Sequence, residues 1–136
     1  MIPIIVLTLL IGADPAEMKK SLEGQWVVKT FVSNGVERHD VIRSARIQGE
    51  NWNWQMDESS VMETRITKFD RPGVVYEIDL TRDRDQQTIL GILKVEDGKM
   101  YLCTSSAGDR PTEFEAVAGS RNLLQVLERK KTDGQN

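Results

Sequence analysis

A chain of 136 residues, 39% hydrophobic and 29% charged, has the length and composition of one soluble globular domain rather than a disordered or fibrous one. Its formal net charge of −3 argues against nucleic acid, whose binding needs clustered Lys and Arg, and against a hold on anionic membrane. One cysteine, Cys103, allows no intrachain disulfide, and with one histidine, His39, the chain is short of ligands for a Cys/His zinc site.

Residues 2–11 (IPIIVLTLLI) form an apolar run too short to cross a bilayer as a helix, which takes about 20 residues. The run fits the apolar stretch of a secretory signal, with Gly12-Ala13 as the small-residue cleavage site, although no Lys or Arg precedes it. Residues 1–13 are expected to be a signal peptide that sends the protein to the periplasm or the exterior. A buried first strand is the alternative reading. The domain is expected over residues 14–130, with no transmembrane span, and residues 131–136 are expected to be a disordered tail.

Residues 16–22 suggest a short helix, after which the sequence period changes. Residues 25–33 (QWVVKTFVS) are β-branched and aromatic; strict alternation puts Trp26, Val28, Thr30 and Val32 on one face and Val27, Lys29 and Phe31 on the other. Asn34-Gly35 is a turn signal, since both residues tolerate positive φ. Residues 37–44 read as a loop or one helical turn, and short strands follow at 45–48, 51–56 and 61–68. Within 51–56, Trp52, Trp54 and Met56 alternate with Asn51, Asn53 and Gln55, the pattern of one buried and one wet face. Turn chemistry at 70–73 (DRPG) precedes the clearest strand, 74–81, with Tyr76, Ile78 and Leu80 on one face and Glu77 and Asp79 on the other. A hairpin is expected over 88–95 and 99–104 about Asp97-Gly98, then a short strand at 111–116 opened by Pro111, and a last strand at 123–130. Eight or nine short strands with tight connections predict an all-β sandwich or barrel.

Gly24-Gln25-Trp26, after the helix and at the start of the first strand, resembles the G-x-W motif of lipocalins, whose Trp plugs the closed end of the barrel. Arg129 matches the basic side chain that lipocalins pack across that Trp from the last strand. The resemblance implies an antiparallel up-and-down lipocalin-like β-barrel of eight or nine strands with a short N-terminal helix, and structural roles for Gly24, Trp26 and Arg129. Over residues 22–130 the chain also resembles an uncharacterised family of small exported lipocalin-like proteins found mainly in planctomycete bacteria. LEGQWVV at 22–28, SNGVE at 33–37, EIDL at 77–80, TILGILKVEDGKMYLCTS at 88–105, GDRPTEF at 108–114 and LQVLERK at 124–130 carry that resemblance. The family has no assigned activity. The two tryptophans of 51–56 and the short turn at 70–73 depart from its pattern, and both touch the expected barrel wall.

No catalytic or metal-binding motif stands above background. Trp52, Trp54 and Tyr76 are candidate ligand contacts lining a cavity; core packing is the other reading of such aromatics. Arg110 and Glu113 read as an ion pair at the barrel rim or a contact to a ligand or partner, or else as a structural corner in which Pro111 fixes the turn and Phe114 enters the core. Glu77 and Asp79 point the same way and suit acid–base work only if buried. Asp83 and Asp85 lack the glycine and terminal glutamate of a calcium loop, and His39-Asp40 has no nucleophile context. Cys103 reads as a small buried hydrophobe. No cofactor is expected. The sequence favours a non-enzymatic exported binding module for a small apolar ligand or a cell-envelope partner. A structural protein with a filled barrel and an enzyme using an interior carboxylate are the alternatives. A cavity separates the first from the second.

Overall fold

The computed structural model describes residues 14–39, 41–105 and 108–130. The expected signal at 1–13 and tail at 131–136 lie outside the described residues. The first element is α1 (Pro15–Ser21). Asp14 caps it by accepting from the Glu17 amide at 2.8 Å, and Glu17 Oε1 accepts from the Asp14 amide at 3.4 Å. So short a helix does not persist alone in water. Burial of Met18 and the following Leu22 in the core holds it in place.

Among the described residues nine strands follow: β1 (Gly24–Ser33), β2 (Val36–Glu37), β3 (Ser44–Gln48), β4 (Asn51–Gln55), β5 (Val61–Asp70), β6 (Tyr76–Arg82), β7 (Thr88–Glu96), β8 (Lys99–Ser105) and β9 (Asn122–Arg129). All pairings are antiparallel. β1 and β3 to β9 neighbour one another in chain order, and a β1–β9 pairing closes these eight strands into an up-and-down barrel. β2 adds only the pairs Val32↔Glu37 and Ser33↔Val36 to the end of β1. Asn34 and Gly35 make the turn between them at φ 51° and 86°, the left-handed region that two-residue hairpins use.

Barrel closure explains two departures from the sequence expectations. A strand at 111–116 does not form, because β8 is already paired on both sides, by β7 and β9, and offers no ladder to join. Residues 108–121 instead run as a strap along the outside of the wall. Beneath it lie Ile92 and Cys103, register partners on β7 and β8, which are buried on the outer face. The ninth strand is β2, in a segment that reads as turn and loop.

A bulge between Val28 and Thr30 corrects the face assignment in β1. The extra residue turns the strand over, so Trp26 and Phe31 both point inward and are buried. β5 carries a second bulge, between Ile66 and Lys68. The other inward rows follow simple alternation: Trp52 and Trp54 on β4, Tyr76, Ile78 and Leu80 on β6, Met100 and Leu102 on β8. At Gly91 the interior is too tight for a side chain. A Cβ there would lie 2.9 Å from the Cys103 carbonyl oxygen and from Thr104 Cγ2.

Candidate ligand cleft

Because the strands alternate in direction, the connections fall at two ends of the barrel. α1, the Gly49–Glu50 turn and the end of β9 share one end. The Asn34 turn, the connections after β4 and β6, and the strap share the other.

The helix end is sealed. Trp26 Nε1 donates to the Leu22 carbonyl at 2.8 Å. The Arg129 guanidinium lies 4.4 Å from the Trp26 ring centre and donates to the carbonyls of Glu23, at 2.8 Å, and Ser21. Burial pushes the Arg129 pKa down from its usual value. Gly24 stands at φ 129°, where a Cβ would meet Arg129 Nη1 at 2.9 Å. Lys19 Nζ pairs with Glu50 at 2.7 Å and Glu23 accepts from the Gly49 amide at 3.2 Å, which ties the helix to the β3–β4 turn.

The opposite end is open. A cleft of about 740 Å³ lies there, within the range of small-molecule sites. Phe31, Val41, Ile89 and Leu123 give it apolar walls; Ser33, Thr88 and Asn122 add hydroxyls and an amide; Arg38, Arg82 and Arg121 bring positive charge. No Asp or Glu lines it among the described residues. Arg82 already holds Asp85, through Nε at 3.1 Å and Nη2 at 3.0 Å, and these bonds hold the Asp85 carboxyl below its usual pKa. Inward of Leu123 on the same face of β9, Gln125 is buried and its Oε1 has no hydrogen-bond partner.

The residues singled out in the sequence sit elsewhere. Trp52 and Trp54 stack in the core with ring centres 5.2 Å apart. Tyr76 is buried near the sealed end beside Phe69, at 5.3 Å, and burial pushes its phenol pKa up. None of the three lines the open cleft; Trp54 instead borders a hollow of about 350 Å³ with Val27, Arg46, Val61 and Lys130. The expected Arg110–Glu113 ion pair is not made. Glu113 is exposed, while Arg110 reaches across the outer wall to Asp79 at 2.9 Å and Glu77 at 3.5 Å. It also donates to the carbonyls of Ile78 and Gly91, at 3.2 and 3.0 Å. The outward acidic pair of β6 therefore clamps the strap to the barrel. Phe114 does not enter the core; it is half-buried under the Lys94 ammonium, 4.7 Å from its ring centre.

Asp83 faces Arg65 at 3.5 Å, and Asp85 is held by Arg82. His39 is exposed, and Asp40 lies outside the described residues. Among the described residues no group of three or more His, Cys, Asp or Glu could hold a metal ion, and no helix is long and apolar enough to cross a membrane. The Cys103 thiol donates to the Glu115 carbonyl at 3.4 Å, and burial pushes its pKa up, the reverse of an activated nucleophile. Comparison with protein-family models, with curated proteins and with solved structures gives no match to this chain.

Sequence reasoning missed Arg38, Arg121 and Leu123 because they belong to separate, unremarkable segments. One signal was present. In an up-and-down barrel every second connection lies at the same end, so the flanks of 34–43, 83–87 and 106–121 had to converge.

Proposed function

We propose that the protein is a non-enzymatic carrier that holds a small, largely apolar molecule in the open-end cleft. The cleft itself carries this reading: about 740 Å³ of space with apolar walls at one end of a barrel whose other end is plugged. The G-x-W likeness and the Arg129 stack support a lipocalin-like assignment, and the blocks of residues 22–130 support kinship with the exported planctomycete-type family. Both are analogy, which guides function weakly. Export through residues 1–13 belongs to the same proposal.

The cleft also favours this reading over the alternatives. A filled barrel that serves only as a scaffold needs no apolar space at its mouth. An enzyme with an interior carboxylate needs that group to open on the cleft. Glu77 and Asp79 instead engage Arg110 on the outer wall, and no carboxylate lines the cleft among the described residues.

Native mass spectrometry of the full chain, purified without detergent, tests the proposal together with titration by the neutral dye N-phenyl-1-naphthylamine. A carrier shows an added mass that departs on denaturation, or saturable dye uptake at one site. A bare mass with no dye uptake overturns the proposal and leaves a scaffold whose partners are proteins.

A further inference from the structure

We infer that the cleft takes a neutral molecule with an apolar body and one hydroxyl, seated hydroxyl first, its O–H donating to Gln125 Oε1 at the floor. The inference rests on the cleft being a ligand site and narrows what enters it.

Strand register places Gln125 there. Leu123, Gln125 and Leu127 share the inward face of β9, running from the open end into the core. Leu123 lines the cleft and Leu127 is fully buried, so Gln125 marks the level at which the cleft gives way to packed core. Its register partner on β1 is Phe31, a cleft wall, and its register partner on β8 is the fully buried Leu102. Register partners on one face stand about 5 Å apart at their Cβ atoms, which sets the Gln125 side chain beside the Phe31 wall. Trp52 Nε1 is also buried without a partner, but it stands two residues beyond the Gly49–Glu50 turn at the sealed end, away from the cleft.

The chemistry of the group sets the ligand. Gln125 is 2% exposed, and its Oε1 has no hydrogen-bond partner. Such an oxygen has given up hydration without return, and a group that donates to it restores the lost interaction. The outer torsion of a glutamine is soft, so a small turn of the amide brings Oε1 to a group arriving beside Phe31. Oε1 is an acceptor and calls for a proton. A hydroxyl brings one with little bulk and no charge. A carboxylate brings none at neutral pH, and its charge would have to be buried among Phe31, Leu102 and Leu127. A hydrocarbon leaves the oxygen as it was.

Two probes of one shape test this: 2-naphthol, and 2-methylnaphthalene, in which a methyl group replaces the hydroxyl. Each is titrated against N-phenyl-1-naphthylamine on the full-length protein, with the dye's own affinity measured in every variant. Comparing the ratio of their dissociation constants in the parent and in Gln125→Met cancels their difference in hydrophobicity. That ratio should move about tenfold against 2-naphthol in the variant, and a move of less than about threefold overturns the hydroxyl while leaving an apolar carrier standing. Tighter binding of 2-naphthoate than of 2-naphthol sets the polar end at the arginine-bearing rim and overturns it likewise. Methionine keeps the length of the side chain and removes the amide, so without ligand Gln125→Met should match or exceed the urea midpoint of the parent. A marked fall shows that the amide serves the fold and overturns the assignment. If neither the naphthalenes nor the dye binds, the carrier falls as well. Bound 2-naphthol reports without any variant, because its excited state sheds a proton to water and then emits as naphtholate. The parent complex should emit from neutral naphthol; strong naphtholate emission places the hydroxyl in water and overturns the inference.

Discussion

Arg129 does two things for Trp26 at once. Its guanidinium covers the ring, and its Nη atoms satisfy the carbonyls of Ser21 and Glu23 where the helix hands over to β1. Arg129→Met keeps an apolar stem over the ring but strands those carbonyls, and should lower the free energy of unfolding in urea by about 1–3 kcal/mol. Cys103 has a pH signature. Burial raises its pKa, so the folded chain keeps the proton at pH values where the unfolded chain ionises. The stabilisation is complete below the ordinary thiol value of 9.0 and is lost as pH rises through the folded value. Between pH 7 and 10 the parent should therefore lose more stability than Cys103→Ala, and its thiol should resist Ellman's reagent until denaturant is added. The Trp26–Arg129 relation was legible because a local motif announces it and a basic last strand completes it. The partners of Arg110 were not. Glu77 and Asp79 lie a whole hairpin away, and only the path of the strap across the wall brings them into reach.

Among the elements, β1 depends on one inserted residue. Its bulge at Lys29 lets Trp26 plug the sealed end while Phe31 lines the open one. Deleting Lys29 restores simple alternation and turns either Phe31 or Trp26 outward. The loss should exceed about 2 kcal/mol, the order expected for exposing one large apolar side chain, and should show as a lowered urea midpoint. β7 has the opposite sensitivity. Gly91→Ala drives a methyl group against the Cys103 carbonyl and Thr104, and the carbonyl belongs to a paired strand that yields little. A loss of about 1–3 kcal/mol is expected, again in urea. Strand positions were readable from period and turn chemistry, since Asn34-Gly35 and Asp97-Gly98 each sit at a left-handed turn. The bulges were not readable: a residue that slips the register has no composition of its own. Nor was the fate of 111–116, whose strand-like pattern meets a sheet with no vacant edge.

For the molecule as a whole, the decisive pairing is between β1 and β9, the first and last strands of the barrel. Contacts this distant in sequence form against a large loop-closure entropy, so refolding should be slow for the size of the domain, in milliseconds to seconds. Unfolding should be all-or-none, with tryptophan fluorescence and far-ultraviolet circular dichroism superimposing in urea. A chain cut before Asn122 loses β9, leaves β1 and β8 with bare edges, and should fail to give that cooperative transition. The barrel class was legible from strand number and spacing. The cleft was not, since its walls come from β1, β7, β9 and loops that no single stretch of sequence unites.

The stacked indoles of β4 have an optical consequence. With ring centres 5.2 Å apart and planes 27° from parallel, Trp52 and Trp54 share excited states when light is absorbed. Two chromophores so placed split their ultraviolet transition into a couplet of opposite signs, which vanishes when the rings part. The native chain therefore carries its own gauge of barrel integrity, set in a wall apart from the cleft. A ligand that seats at the mouth leaves the couplet standing, and one that pries the strands apart erases it.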